Sequence, residues 1–124
     1  MSRNLSFEGT IAIDPPLAYG QIQGSPFLPE IARFEPLVFT VSRRTLAGGI
    51  RVRMAEAIEP NPDGSQGGDE LAELVESIIA DHPGSQFAGH ITVFDNDHHE
   101  AQQLRVHGNA VSLHELSYNA DAEA

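Results

Sequence analysis

A chain of 124 residues with 40% apolar content and no cysteine reads as one small folded domain, without disulfides, thiolate nucleophiles or cysteine-based zinc sites. Its formal net charge of −11 is unevenly divided: residues 1–53 carry six Arg against four acids, and residues 54–124 carry Arg105 alone against fourteen acids, so the C-terminal part repels nucleic acid and anionic membrane. The absence of Lys removes Schiff-base chemistry and the phosphate-loop lysine, and no apolar run approaches the roughly 20 residues of a membrane helix.

The opening residues Met1–Ser6 have no apolar stretch behind Arg3, so no signal peptide is expected and the expected location is the cytoplasm. Leu5, Phe7, Gly9, Ile11 and Ile13 then alternate with smaller or polar residues, which predicts a half-buried strand ended by Asp14-Pro15-Pro16. A short helix is predicted near 16–23, stopped by Gly24-Ser25-Pro26. Leu37, Phe39 and Val41 form one arm of a hairpin, and Ile50, Val52 and Met54 the other, around Ala47-Gly48-Gly49. A two-residue turn makes facing residue numbers sum to an odd value. Arg44, Arg51 and Arg53 are therefore expected to share the face away from the core, with Arg43 an exception that sits near the strand end or snorkels.

Residues 59–68 read as a flexible acidic loop, rich in Pro, Gly, Asn and Asp. Leu71, Leu74, Val75, Ile78 and Ile79 follow with helical spacing and predict a helix over about 69–82, with Asp69 and Glu70 at its positive end. Phe87–Phe94 reads as a strand. Leu104 and Val106 are expected to face Val111 and Leu113 across a Gly108-Asn109 turn, and residues 118–124 form an acidic, frayed tail. The expected fold is α+β: a mostly antiparallel sheet of five to six strands, packed on one face by one long helix and supplemented by the short helix.

Two stretches, Gly9-Thr10-Ile11-Ala12-Ile13-Asp14-Pro15-Pro16-Leu17 and Ser25-Pro26-Phe27-Leu28-Pro29, resemble the opening of a family of small proteins of unknown function from actinobacteria and their phages. Asp81-His82-Pro83-Gly84, Phe87-Ala88-Gly89 and Leu104-Arg105-Val106 are similar to its second half, while Asp95–Glu100 departs from it. The resemblance implies an origin and supplies no chemistry.

Three constellations are candidates for function. Asp95, Asp97, His98, His99 and Glu100 carry metal-ligating side chains, although neighbours in sequence seldom converge on one point and a solvated loop is the plainer reading. His90, Arg105, His107 and His114 are expected on the uncovered sheet face, with Arg105 opposite Ser112 and Gln103 opposite His114. They suit anion binding, acid–base work or pH sensing, or are simply the polar side of a sheet covered once. Arg44, Arg51 and Arg53 suit an acidic partner, or are neutralised internally.

No catalytic residue is assigned and no cofactor is expected. The function expected is a non-enzymatic protein-binding or regulatory module, phage-linked and acting on a host protein. In one variant, five acids within Asp69–Asp81 imitate the phosphates of DNA. The alternative is a small metal-dependent or His-based hydrolase. The expected partner is a protein, a second copy of the chain included, rather than nucleic acid or membrane.

Overall fold

A computed structural model describes residues 5–32, 35–61 and 67–116. Eight elements follow one another: β1 (Leu5–Ala18), α1 (Tyr19–Ile22), β2 (Leu37–Thr45), β3 (Arg51–Pro60), α2 (Gly68–Asp81), β4 (Gln86–Asp95), β5 (Glu100–His107) and β6 (Ala110–Leu116). The strands form a six-stranded sheet in the order β2-β3-β1-β4-β5-β6, antiparallel at every pairing. The fold is α+β, and both edges, β2 and β6, belong to hairpins.

Alternation along the strands sends Ile11, Ile13, Phe39, Ile58, Phe87, Ile91, Leu104 and Val106 into one buried cluster. Leu71, Val75, Ile78 and Ile79 of α2 join it, and Leu74 is only partly buried at its margin. The expectation of one long helix covering the sheet is not supported. The helices have 14 and four residues, and α2 packs mainly against β4, β5 and β6. A helix of that length spans about 21 Å, less than the roughly 24 Å across six strands. The remaining half of the face is closed by Ile22, by Leu28 and by Phe27, whose ring meets Phe39 edge-on at 5.9 Å.

Four further sequence expectations are corrected. β1 does not stop at Asp14-Pro15-Pro16 but runs to Ala18, with a cis Asp14–Pro15 peptide. The prolines need no ladder partner, because pairing with β4 ends at Asp14 and pairing with β3 lapses between Ala12 and Leu17. The β2–β3 turn holds three residues between Leu46 and Ile50, with Leu46 N–H donating to Ile50 O at 2.7 Å. Facing numbers near the tip therefore have an even sum, as in Arg43↔Arg53, and become odd only beyond a bulge at Glu56. Val52 consequently lies on the face away from the core. Lastly, the acidic loop is shorter than expected: Glu59 and Pro60 belong to β3, and buried Asn61 donates to Ala32 O at 2.6 Å. Its residues 62–66 and the tail from 117 lie outside the described residues.

The β5–β6 hairpin follows its expected register, with Leu104↔Leu113, Val106↔Val111, Arg105↔Ser112 and Gln103↔His114. Its turn residue Asn109, at φ 63°, also ties this hairpin to β4. The side-chain oxygen of Asn109 accepts from Phe87 N–H at 2.6 Å, and its amide donates to Ser85 O at 2.9 Å.

Candidate functional site

The β2–β3 hairpin outruns its neighbour. Pairing between β1 and β3 ends at Ala18↔Met54, where the chain turns into α1, but pairing between β2 and β3 continues to Thr45↔Arg51. Beyond Met54 the hairpin is a two-stranded ribbon carrying Arg43, Arg44, Arg51 and Arg53. The three-residue turn decides their faces. Arg43, Arg51 and Arg53 project on the helix-bearing side, and Arg44 projects on the other with Val52. The expected grouping of Arg44 with Arg51 and Arg53 is thus replaced by one that includes Arg43.

Their charges are differently occupied. Arg53 donates from both terminal nitrogens to Glu30, each at 2.8 Å. That hydrogen-bonded pair lowers the Glu30 carboxyl from the ordinary 4.5 to about 2 and raises Arg53. Arg44 approaches Glu56 at 3.9 Å, a long contact on an exposed surface. Among the described residues, Arg43 and Arg51 make no ion pair. Apolar side chains accompany them: Leu46 and Ile50, at the tip, are 46% and 61% exposed. An open hollow of about 400 Å³ runs between Tyr19, Leu46, Val52 and Met54, rimmed by Arg44 and Arg53. Exposed aliphatic side chains thus lie beside two arginines that make no ion pair among the described residues.

β2 is also a sheet edge. Phe39 N–H donates outward, to Phe27 O at 2.9 Å. Alternation then turns the backbone groups of Val41, Arg43 and Thr45 outward as well, and among the described residues none of these has a partner there.

The second candidate lies on the uncovered face, at the opposite edge of the sheet. His90 stands opposite Arg105, which stands opposite Ser112, and Thr92 stands opposite Gln103, which stands opposite His114. His107 follows Arg105 by two residues on the same face. Arg105 Nε donates to Gln103 Oε1 at 2.7 Å, Gln103 Nε2 donates to Thr92 Oγ1 at 3.0 Å, and Ser112 Oγ lies 2.9 Å from His114 Nε2. The Ser112–His114 spacing suits a nucleophile and base, and both residues lie on β6, Ser112 exposed and His114 partly so.

The acidic turn is not drawn into a site. Asp95 accepts the His98 ring at 3.0 Å and the Asp97 and His98 amides at 3.2 and 3.3 Å. Partial burial raises its pKa, but the His98 ring and these amides outweigh that and hold it below the ordinary range. Among the described residues no three His, Asp or Glu side chains converge as a metal would need. Asp95, Asp97, His98, His99 and Glu100 form a hydrogen-bonded turn between β4 and β5.

Sequence reasoning missed the Glu30 clip, the outward edge of β2 and the exposure of Leu46 and Ile50. The clip joins residues 23 apart and leaves no periodic trace. The length of the Ala47-Gly48-Gly49 turn is the signal that could have shown the regrouping of the arginines.

Comparison with protein-family models, curated proteins and solved structures gives no match. No helix among the described residues is long and apolar enough to cross a membrane.

Proposed function

We propose that the chain is a non-enzymatic binding module whose β2–β3 ribbon takes up an extended acidic segment of a partner protein. The observation that carries this reading is the ribbon itself: a projecting, cationic hairpin with an apolar tip, on a chain of net charge −11. The partner strand adds to the open edge of β2, where Val41, Arg43 and Thr45 offer backbone donors and acceptors. Arg43 and Arg51 meet its carboxylates, and Leu46 and Ile50 meet its apolar side chains. The sequence resemblance suggests a bacterial or phage-infected cell as the setting and a host protein as the partner.

A two-stranded ribbon also fits the major groove of DNA. Three cations not committed to a close ion pair make a small footprint, however, and the fourteen acids after residue 53 oppose a polyanion. A second copy of the chain is a further acidic candidate, since Asp69, Glu70, Glu73, Glu76 and Asp81 of α2 are all exposed.

The test is fluorescence anisotropy with a labelled synthetic peptide alternating Glu and Leu. Saturable binding that weakens with salt and is lost in Arg43→Gln/Arg51→Gln supports the reading. Binding unaffected by that double variant contradicts it. Preference for a DNA duplex, or self-association lost in the same variant, would assign the ribbon to that partner instead.

A further inference from the structure

We propose that Arg105, together with His90 and Ser112, forms a second, separate site for a tetrahedral dianion: the phosphoryl group of a phosphate monoester, or an oxyanion of the same shape. It lies on β4, β5 and β6, across the sheet from the ribbon, so the two proposals stand or fall independently.

Arg105 is held from a buried anchor. Thr92 sits within the sheet, 4% exposed, and its hydroxyl accepts from the Gln103 amide. That bond fixes which end of the amide faces which neighbour, and the Gln103 oxygen then accepts from Arg105 Nε at 2.7 Å. A buried anchor is thus relayed through a half-buried glutamine to an exposed guanidinium. Only Nε is used. The two terminal nitrogens keep their donors, and among the described residues no carboxylate lies within ion-pair distance.

Further polar side chains flank it on the neighbouring strands. His90 stands across on β4, and Ser112 stands across on β6 with its hydroxyl at His114 Nε2. His107 lies two residues along β5. The acid nearest in register on this face is Glu8, opposite Thr92 and so one row and two strands away from Arg105. A tetrahedral oxyanion presents three or four oxygens to polar groups drawn from three strands, where a carboxylate presents two. A planar carboxylate would use the guanidinium alone. Holding the guanidinium in advance removes part of the ordering cost of binding, and an arginine oriented by neutral partners keeps its full charge for the ligand.

The experiment is a titration of the isotope-labelled full chain, followed by backbone amide and imidazole resonances. Sodium phosphate and sodium sulfate are added at constant ionic strength, with sodium acetate and sodium chloride as controls. Saturable shifts centred on His90, Arg105 and Ser112 are expected with phosphate and sulfate only. Arg105→Gln should weaken binding by at least about tenfold, the loss of one charge-assisted contact. Gln103→Leu keeps the charge but frees the guanidinium, and should weaken it severalfold while spectra elsewhere stay unchanged. Plain charge attraction would not produce that second loss. Equal shifts with chloride, or phosphate affinity unchanged by Arg105→Gln, would overturn the site. Acetate binding as well as phosphate would overturn the tetrahedral assignment, and full affinity in Gln103→Leu would overturn the relay.

Discussion

Arg43 and Arg53 stand directly opposite each other across the β2–β3 ladder, and Glu30 clips Arg53 from the side with two 2.8 Å hydrogen bonds. Like charges in this position repel. The clip relieves one member, and among the described residues Arg43 has no ion pair of its own. Replacing Arg43 by Gln should therefore leave the melting temperature unchanged or raise it by a few degrees at most. Arg53→Gln should lower it, by releasing the segment that carries Glu30. Thermal melts of both variants check this, and a clear loss of stability in Arg43→Gln would show that Arg43 serves the fold.

The same clip sets a pH dependence. The Glu30 carboxyl lies at about 2 in the folded chain against an ordinary 4.5. A depressed folded value means that the unfolded chain binds the proton more tightly. The contribution to stability is present above the ordinary value and is lost as pH falls from there toward 2. Carboxyl NMR should find Glu30 titrating at about 2 in the natural sequence and back in the ordinary range in Arg53→Gln. An ordinary value in both would mean the ion pair does not persist in water.

Within the core, Leu71 is fully buried, whereas Leu74 is only partly so. Leu71→Ala should cost roughly 2–5 kcal/mol, and Leu74→Ala less than half as much. Urea unfolding measures both. Equal losses would mean that α2 is turned differently against β4–β6.

Gly9 and Gly89 flank Ile11 and Ile91 on the paired strands β1 and β4, at φ 115° and 143°. A Cβ on Gly89 would collide with the Thr10 carbonyl, and one on Gly9 with the His90 carbonyl. Gly89→Ala should therefore cost at least about 2 kcal/mol through the unfavourable backbone angle and the collision together. Unfolding of this variant at the natural midpoint would show no contact of that kind.

Much of this architecture is legible in the residues themselves. The alternation of Leu104–Val106 and Val111–Leu113 around Gly108-Asn109 fixes both register and faces, because a two-residue turn leaves one way to pair. The 3.6-residue spacing from Leu71 to Ile79 marks α2 with equal clarity. At the other hairpin the same reasoning misplaces Val52 and Arg44. One extra residue in the turn shifts every face, and the Glu56 bulge that restores the pattern carries no signature of its own. Pro15-Pro16 misleads differently: it looks like a stop, yet it occupies a gap where β1 has no ladder to lose. The candidate surfaces divide along the same line. The row His90–Arg105–Ser112 follows from register. The Glu30–Arg53 clip and the outward edge of β2 depend on how distant segments meet, and local sequence does not encode that.

The proposed function turns on the outward edge of β2. Amide hydrogen exchange of Val41, Arg43 and Thr45, measured with and without a saturating peptide of alternating Glu and Leu, tests it most directly. Strand addition predicts that these three amides become protected while Ser42 and Arg44, already turned toward β3, change little. Saturation of the peptide with no gain of protection at Val41, Arg43 and Thr45 would contradict the account.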